Sequence, residues 1–294
     1  MERMMGGRRP RLAATTGIGY VSLTITNLEA SVRFYHAVIG LHVLKITDTS
    51  AVLGTAAEQP LLVLTQGEGQ YSSVSNEPGI DHFAILSPDR AGLAQHLGRL
   101  MAMDYPIRMI SDHGVNESIY VQDPDGIRIE LTRDFPPEEL AGRRPLGSRD
   151  VAFELMELSR KLQPAAGVGA KVRIGHILLR VSELAQSEQF YTQDIGFDVT
   201  TRMPGAVFVS AGGYHHHLGF HIWESDGRTK SDKAAIGLRH FSIVNPDYIP
   251  PHPLDFHFMR DPSGNGIVLT PHAFIHHEKL LAMDKIILEK EQFH

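Results

Sequence analysis

The chain has 17 histidines and no cysteine among 294 residues, and three of the histidines are consecutive in the stretch AGGYHHHLGF at 211–220. Without cysteine there is no disulfide and no thiolate ligand, so any metal would have to be held by His, Asp or Glu. Three consecutive strand residues cannot all reach one ion, because neighbouring side chains point to opposite faces. The histidine run alone therefore does not predict a metal cluster.

Two other residues that could carry chemistry lie on predicted strands. His82 is in GIDHFAIL (79–86), and Glu130 is in DPDGIRIELT (123–132), between Ile129 and Leu131. A single strand histidine is more often a half-buried ring bonded to backbone than a ligand. A glutamate on an apolar strand, in contrast, is costly to bury without a cation or hydrogen-bond donors. Glu130 therefore favours a ligand role, provided that the fold brings histidines to it.

An internal repeat places these residues. Residues 18–44 align without gaps with residues 174–200, with ten identities. GIDHFAIL recurs as GLRHFSIV at 237–244, and DPDGIRIELT recurs as DPSGNGIVLT at 261–270. The chain is therefore predicted to consist of two related halves with two units each.

Within one unit the local signals predict a strand, a helix and then further strands. Residues from Tyr20 to Thr26 alternate as a strand, Asn27 can cap a helix, and Gly40 can end it. Each Asp-Pro turn leads into a last β-branched strand. We predict an α+β fold of four βαβββ modules, at about 17–66, 79–133, 173–224 and 236–271.

The fourth module is predicted to be truncated. Between His240 and Asp261 it has 20 residues fewer than module two has between His82 and Asp123, and its segment NPDYIPPHPLD is too proline-rich for a helix. The tail is predicted to be an amphipathic helix that packs on the body or on a second subunit. The predicted organisation is a tail at 1–16, a first half at 17–133, a linker at 134–172, a second half at 173–271 and a C-terminal helix at 272–294.

The composition excludes some functions. The net charge of −6 is spread over both signs with no basic stripe, so nucleic acid is not an expected partner. No stretch approaches the roughly 18 apolar residues of a membrane span, and the basic start lacks the apolar segment of a signal peptide. We expect a cytoplasmic protein without a membrane partner.

The module motifs resemble those of a known superfamily. Four βαβββ modules, with a histidine in a first strand and DPDGxxIEL at a last strand, resemble the vicinal oxygen chelate superfamily, which includes glyoxalases, bleomycin resistance proteins and type I extradiol dioxygenases. The stretches IGHILLRVSELAQSEQFY, VSAGGYHHHLGF, GIDHFAIL and SIYVQDPDGIRIEL are most similar to Bacillus-type catechol 2,3-dioxygenases. The resemblance covers nearly the whole chain. It implies a glyoxalase-like fold in which the modules form two paired open barrels.

The resemblance also implies a metal site. Type I extradiol enzymes hold Fe(II) with a His in the first strand of each paired module and a Glu in one last strand. The corresponding positions here are Tyr20, His82, His176 and His240 in first strands, and Glu130 and Val268 in last strands. Only the pairing of module two with module three gives a complete set, which is His82, Glu130 and His176. We therefore predict an active 2+3 pair and a structural 1+4 pair, with Mn(II) accepting the same ligands as Fe(II).

Three further residues receive roles from the resemblance. His216, in the last strand of module three, is the expected acid-base group. Tyr120 is expected to hold a substrate oxygen, and His113 to hydrogen-bond at the far side of the substrate. His215 and His217 have no assigned role and are expected to face away. Further histidines without motif support are treated as background, namely His221, His252, His257, His272, His276 and His277.

The implied function is extradiol (meta) cleavage of catechol or a substituted catechol by O2, with a small aromatic diol and O2 as partners and a homo-oligomeric state. One alternative is a glyoxalase-type metal-dependent lyase or isomerase, which would need a second glutamate where His216 stands. Another is an α-keto-acid-dependent dioxygenase, which shares the triad but would not need His113 and His216. The third is a non-catalytic small-molecule binding protein of the same fold, which would dispense with the metal.

Overall fold

The strands form two open sheets joined through one apolar core. The computed structural model describes residues 10–67, 76–163, 165–228, 236–251, 255–273 and 276–292, so residues 1–9 of the predicted N-terminal tail lie outside it. Within the described ranges, no helix is long and apolar enough to cross a membrane.

The first half contains two complete modules. Module one has the helix α1 (Leu28–Arg33) and the strands β1 (Gly17–Ile25), β2 (His42–Ile46), β3 (Ser50–Gly54) and β4 (Pro60–Gln66). Module two has the helix α2 (Arg90–Ala102) and the strands β5 (Gly79–Leu86), β6 (Met109–Asp112), β7 (Asn116–Gln122) and β8 (Arg128–Asp134). The linker carries α3 (Pro137–Leu140) and α4 (Ser148–Lys161). Asp134, the first predicted linker residue, is thus the last residue of β8.

The second half repeats the pattern and then loses part of it. Module three has α5 (Leu184–Gln189) and the strands β9 (Arg173–Arg180), β10 (Asp198–Met203), β11 (Ala206–Ser210) and β12 (Leu218–His221). Module four has β13 (Gly237–Val244), β14 (His257–Arg260) and β15 (Gly266–Thr270). Residues 245–251 and 255–256, between β13 and β14, contain no helix, as the prolines there predict. The chain continues into α6 (His277–Gln292).

The helices begin and end where the sequence signals predict. The side chain of Asn27 accepts a hydrogen bond from the amide of Ala30 and so caps α1. Helix α1 continues as a π-helical turn, Phe34–Ile39, and Gly40 ends it with a φ of 93°. Gly196 ends the matching turn of module three with a φ of 106°. Glycine is favoured at both ends because this left-handed conformation is strained for other residues.

The sheet order shows which modules pair. In each module the first strand runs parallel to the last. The order of one sheet is β10-β11-β12-β9-β5-β8-β7-β6, so modules three and two form it, and β9 and β5 are antiparallel at its centre. The other has the order β14-β15-β13-β1-β4-β3-β2 and combines modules four and one. These 2+3 and 1+4 sheets confirm the α+β fold, the paired open architecture and the pairing predicted from the ligand positions.

Two tyrosines link the sheets at equivalent places. The hydroxyl of Tyr35, in module one, donates to Asp123 Oδ2 of module two at 2.9 Å. The hydroxyl of Tyr191, in module three, donates to Asp261 Oδ2 of module four at the same distance. In each half of the chain, the tyrosine of a repeated Phe-Tyr motif therefore bonds to the aspartate of a repeated Asp-Pro motif. Each of these bonds connects two modules that belong to different sheets.

Helix α6 packs on the 1+4 sheet, over the positions that correspond to the predicted metal ligands of the other sheet. The packing forms a second apolar cluster, separate from the main core. Its buried residues are Tyr20, Val52, Val63, Phe256, Val268, Leu280, Met283 and Ile287. Asp284 adds polar contacts: its Oδ1 accepts from the hydroxyl of Ser22 at 2.8 Å, and its Oδ2 accepts from Arg239 at 2.8 Å. Of the two partners foreseen for the tail, the body of the protein is the one in contact with it.

Candidate active site

Three side chains meet at the seam between modules two and three. His82 lies on β5, Glu130 on β8 and His176 on β9, and their potential ligand atoms all lie within 4.8 Å of one another. The Nε2 atoms of His82 and His176 are 3.1 Å and 2.9 Å from the same atom, Glu130 Oε2. In the part of the chain that the structure describes, no other group of three or more His, Asp or Glu side chains has this arrangement.

Strand register brings the three together. Glu130 is paired with Ala84, which lies two residues beyond His82 and therefore on the same face of β5. On the other side of β5, Phe83 is paired with Ile177, and an irregularity in the register follows, so His176 lies close to Ala84. The three functional side chains thus surround one small residue, Ala84, on a common face of the sheet.

The charges of the cluster compensate one another. Burial alone would raise the pKa of Glu130, but His176 and His82 outweigh it and hold that pKa well below its ordinary value. Burial lowers the pKa of His82, yet Asp81 and Glu130 more than compensate and raise it to about 9. For His176, burial outweighs the contact with Glu130, so its pKa is lowered. Glu130 is thus a carboxylate that needs positive charge beside it.

Hydrogen bonds from module two orient the carboxylate. The hydroxyl of Ser118, on β7, donates to Glu130 Oε1 at 2.5 Å, and Asn116 Nδ2 lies 3.4 Å from the same oxygen. Oε1 is therefore turned toward β7, while Oε2 faces the two histidines. Glu130 is only 2% exposed, so this arrangement is shielded from bulk water.

Asp81 orients the ring of His82 in the same way. Asp81 Oδ1 lies 2.9 Å from His82 Nδ1, while Arg128 bonds to Asp81 Oδ2. His221 Nε2 also lies 3.4 Å from Oδ2, at a geometry that does not satisfy a hydrogen bond. Burial would raise the pKa of Asp81, but His221, His82 and Arg128 hold it well below its ordinary value. His221, treated as background in the sequence, therefore belongs to the surroundings of the site.

His216 packs on a proposed ligand. Its ring centroid lies 4.3 Å from that of His176 and 5.2 Å from that of Phe208. Burial lowers the pKa of His216 well below its ordinary value, and a proton on His176 or on His215 would lower it further, so the ring is neutral. This neutral ring stands directly beside the cluster of ligand atoms.

The prediction for the neighbours of His216 is wrong in part. Strand β12 begins at Leu218, so residues 214–217 precede it and do not alternate between faces. His215 does not face away: its Nδ1 is 2.8 Å from His216 Nδ1, and its ring centroid is 6.3 Å from that of His176. His217 does turn away, is 5% exposed and accepts a hydrogen bond from the amide of Ala211. The placement of His216 inside the last strand is also wrong, by two residues.

Tyr120 and His113 stand on the other side of the cluster. The ring centroids of Tyr120 and His82 are 5.8 Å apart and perpendicular, and His113 Nε2 lies 2.9 Å from the Tyr120 hydroxyl. Burial and the nearby Glu130 raise the pKa of Tyr120, so its hydroxyl keeps its proton and can donate. His113 is exposed. All six residues named from the sequence thus lie on or beside the seam between modules two and three.

The sequence did not single out Asp81, Ser118 or Asp134, which hold the named residues in place. Asp81 directly precedes His82, and Ser118 lies two residues before Tyr120. Asp134 Oδ1 lies 3.0 Å from His215 Nε2. Glu130, Thr132 and Asp134 have the spacing of one strand face, which is the signal that could have indicated Asp134.

The donor set suits a divalent transition metal. Two imidazole nitrogens and one carboxylate oxygen converge from one side, which is the facial arrangement that non-haem Fe(II) oxygenases use. One outer partner fits as well, since a ligating histidine is usually held through its second nitrogen, as Asp81 holds His82 here. Among the described residues, Nδ1 of His176 is buried without such a partner. A mononuclear site built from His82, Glu130 and His176 therefore agrees with both the geometry and the chemistry of these residues.

The fold and the site together define a member of the vicinal oxygen chelate architecture that carries a candidate metal site. A profile of the Glyoxalase/Bleomycin resistance protein/Dioxygenase superfamily matches residues 17–131 and 173–248. The chain belongs to this superfamily, as its motifs predict.

Two relatives are named as dioxygenases. The chain is 38% identical over 239 residues to catechol-2,3-dioxygenase of Bacillus subtilis (strain 168), a match that covers 79% of this chain and 83% of that protein. It is 28% identical over 132 residues to biphenyl-2,3-diol 1,2-dioxygenase 3 of Rhodococcus globerulus, covering 44% of this chain and 70% of that protein.

Solved structures share the fold at low identity. Glyoxalase I from Zea mays has a TM-score of 0.52 and 17% identity, with 87% of this chain and 92% of that chain covered. The cppA protein of Streptococcus pneumoniae TIGR4 has a TM-score of 0.52 and 11% identity, with 90% and 99% covered. At these identities the likeness concerns the fold alone.

Proposed function

We propose that the protein is an extradiol (meta) ring-cleaving dioxygenase that acts on catechol or a substituted catechol with O2, using one Fe(II) held by His82, Glu130 and His176. The observation that carries the proposal is the approach of two imidazole Nε2 atoms to one oxygen of a buried carboxylate, with the neutral His216 beside them. The match to the Bacillus subtilis catechol-2,3-dioxygenase supports it.

The metal would supply the chemistry that the side chains lack. Fe(II) at this site would bring the two catechol oxygens and O2 together and carry the electron transfer between them. Three protein ligands on one face leave the opposite side of such an ion free for exogenous ligands. Mn(II) accepts the same ligands, and the identity of the metal is part of the proposal.

His216 is the proposed acid-base group. Its neutral ring can take a proton from a catechol hydroxyl and return that proton as the ring opens. Both atoms of O2 enter the product, so the reaction needs no external reductant. Burial lowers the pKa of His216, so its ring carries no positive charge before substrate binds.

Tyr120 and His113 are proposed to position the substrate. The hydroxyl of Tyr120 keeps its proton and can donate to a substrate oxygen, while His113, which is exposed, closes the far side. Since Tyr120 and His216 lie on different sides of the cluster, a planar diol between them would meet a donor at one edge and an acceptor at the other.

A second buried glutamate would favour a glyoxalase-type reaction instead. Glu117 is buried, but Arg133 and Arg90 occupy its carboxylate at 2.8 Å and 2.6 Å. It is therefore not available as a base, and His216 stands at the site instead. A cytoplasmic location and a homo-oligomeric state stay predictions from the sequence.

The test is direct. The protein is loaded with Fe(II) in the absence of air and mixed with catechol or an alkylcatechol and O2, and we expect a yellow ring-fission product with stoichiometric O2 uptake. The variant Glu130→Gln is the matched control, because it keeps the size of the side chain and removes the charge that holds the ion. A panel of catechols that gives neither colour nor O2 uptake would overturn the proposal.

A further inference from the structure

A hydrogen-bonded chain leads from module two to the proposed acid-base histidine of module three. Asp134, at the end of β8, has Oδ1 at 3.0 Å from His215 Nε2. The other ring nitrogen of His215, Nδ1, is 2.8 Å from His216 Nδ1. Asp134 Oδ2 accepts from the hydroxyl of Tyr214 at 2.8 Å, so both oxygens of the carboxylate are engaged.

The chemistry of these groups fixes where each proton lies. A carboxylate only accepts, so the proton of a neutral His215 lies on Nε2, and its Nδ1 is a bare acceptor. His216 Nδ1 must then be the donor of the bond between the two rings, and its Nε2 carries no proton. Burial would raise the pKa of Asp134, but His215, Tyr214 and Arg173 lower it, in agreement with a carboxylate at this end.

We infer that Asp134 and His215 are positioning residues that hold His216 in its Nδ1-protonated tautomer, which leaves Nε2 as the proton acceptor of the active site. This inference rests on the proposed function, in which His216 takes a proton from the substrate. It gives His215, the first histidine of the run, a task that does not require contact with the substrate.

The groups around His216 also limit which of its ring nitrogens can meet a substrate. One side of its ring meets His176, with centroids 4.3 Å apart, and Phe208 approaches it edge-on at 5.2 Å. With Nδ1 bonded to His215, Nε2 is the nitrogen that remains for a reacting group. The wrong tautomer would present an N–H to a catechol hydroxyl, and such a ring cannot accept the proton.

The tautomer can be read directly. Protein with ¹⁵N-labelled histidine rings is loaded with Zn(II), which is diamagnetic, and a two-bond ¹H–¹⁵N correlation is recorded. The signals of His216 are those absent from His216→Gln. We expect a protonated Nδ1 and a bare Nε2 in the wild type, and a mixture of tautomers in Asp134→Asn, because an amide can donate as well as accept.

Kinetics of the Fe(II)-loaded protein distinguish positioning from packing. In His215→Asn the amide oxygen can still accept from His216 Nδ1, whereas His215→Leu fills space without accepting. We expect kcat to fall roughly tenfold or more in His215→Leu and in Asp134→Asn, with KM within about twofold, and to be largely retained in His215→Asn. Equal Zn(II) affinity and equal thermal midpoints of the variants verify that the site and the fold are intact.

Two results would overturn the inference. One is a wild-type His216 protonated on Nε2, and the other is an equal loss of kcat in His215→Asn and His215→Leu, which would assign His215 to packing. Failure of the proposed function looks different: a wild type that cleaves no catechol would refute the dioxygenase, while the Nδ1-protonated spectrum would still support the hydrogen-bonded chain.

Discussion

Asp81 and His82 are neighbours in the chain whose side chains bond to each other: Asp81 Oδ1 lies 2.9 Å from His82 Nδ1. The bond leaves His82 Nε2 directed at Glu130, 3.1 Å away. Asp81 is not one of the proposed metal ligands, yet it sets the direction of His82, which is one.

Removal of this orienting carboxylate should weaken metal binding. Replacement Asp81→Ala frees the ring of His82, and we expect the affinity for Fe(II) to fall by roughly 10- to 100-fold, with all three ligands still present. A chelator competition titration without air measures the affinity. Asp247→Ala, at an exposed aspartate, is the control. Unchanged affinity in Asp81→Ala would show that packing alone orients His82.

His216 should matter for turnover and not for the metal. In His216→Ala we expect normal Fe(II) affinity and a turnover lower by on the order of 100-fold, because the substrate loses its proton acceptor. Chelator competition and O2 uptake on the same preparation measure both quantities. His276→Ala, at an exposed histidine, serves as the control. Near-normal turnover in His216→Ala would remove this residue from the mechanism.

The sequence predicts much of the fold and of the site because the functional residues recur at alignable places in a repeat. The pairing of modules two and three follows from one substitution pattern, in which Tyr20 and Val268 stand where a complete site needs ligands. The supporting contacts were not predictable in the same way. Asp134 and His215 are 81 residues apart, and nothing local in either segment indicates their hydrogen bond.

The wrong prediction for His215 has a simple physical origin. Alternation between faces holds only inside a strand, and the run at 215–217 ends just before β12 begins at Leu218. A conformation outside the strand lets His215 and His216 meet through their Nδ1 atoms. A periodicity argument therefore requires the strand boundary, which is the feature that a sequence locates least well.

The 1+4 sheet should depend on Asp284 for stability. Arg239, at 8% exposure, donates to Asp284 at 2.8 Å, and Asp284→Ala would leave this cation buried without its partner. We expect a loss of about 3 kcal/mol or more in the free energy of unfolding, measured by denaturant titration. The double variant Arg239→Leu with Asp284→Ala should lose less than Asp284→Ala alone. A double variant that is no more stable would assign the effect to the other contacts of Asp284, with Ser22, Thr65 and His240.

His240 should make the protein sensitive to acid. Burial, aided by Arg239, lowers its pKa from 6.5 to about 4 in the folded state. Between these values the unfolded chain binds a proton that the folded protein does not, so stability falls as the pH decreases from 6.5 to about 4. The slope of the unfolding free energy against pH reports how many protons are taken up on unfolding. We expect this number to be smaller by up to one in His240→Gln.

The control for this slope is His276→Gln, at an exposed position. Denaturant titrations at several pH values in the same range measure both variants against the wild type. Parallel curves for His240→Gln and the wild type would show that His240 does not take part in the acid response.

The pairing of the modules is nested along the chain. Modules two and three, which are adjacent in the sequence, pair with each other, and the flanking modules one and four form the other pair. Each half of the sequence therefore supplies half of both sheets, and neither half is a self-sufficient folding unit. During synthesis the inner pair has all its strands once residue 221 has emerged, while β1 must wait for β13. A protease cut in the linker would leave two fragments that pair with each other in both sheets.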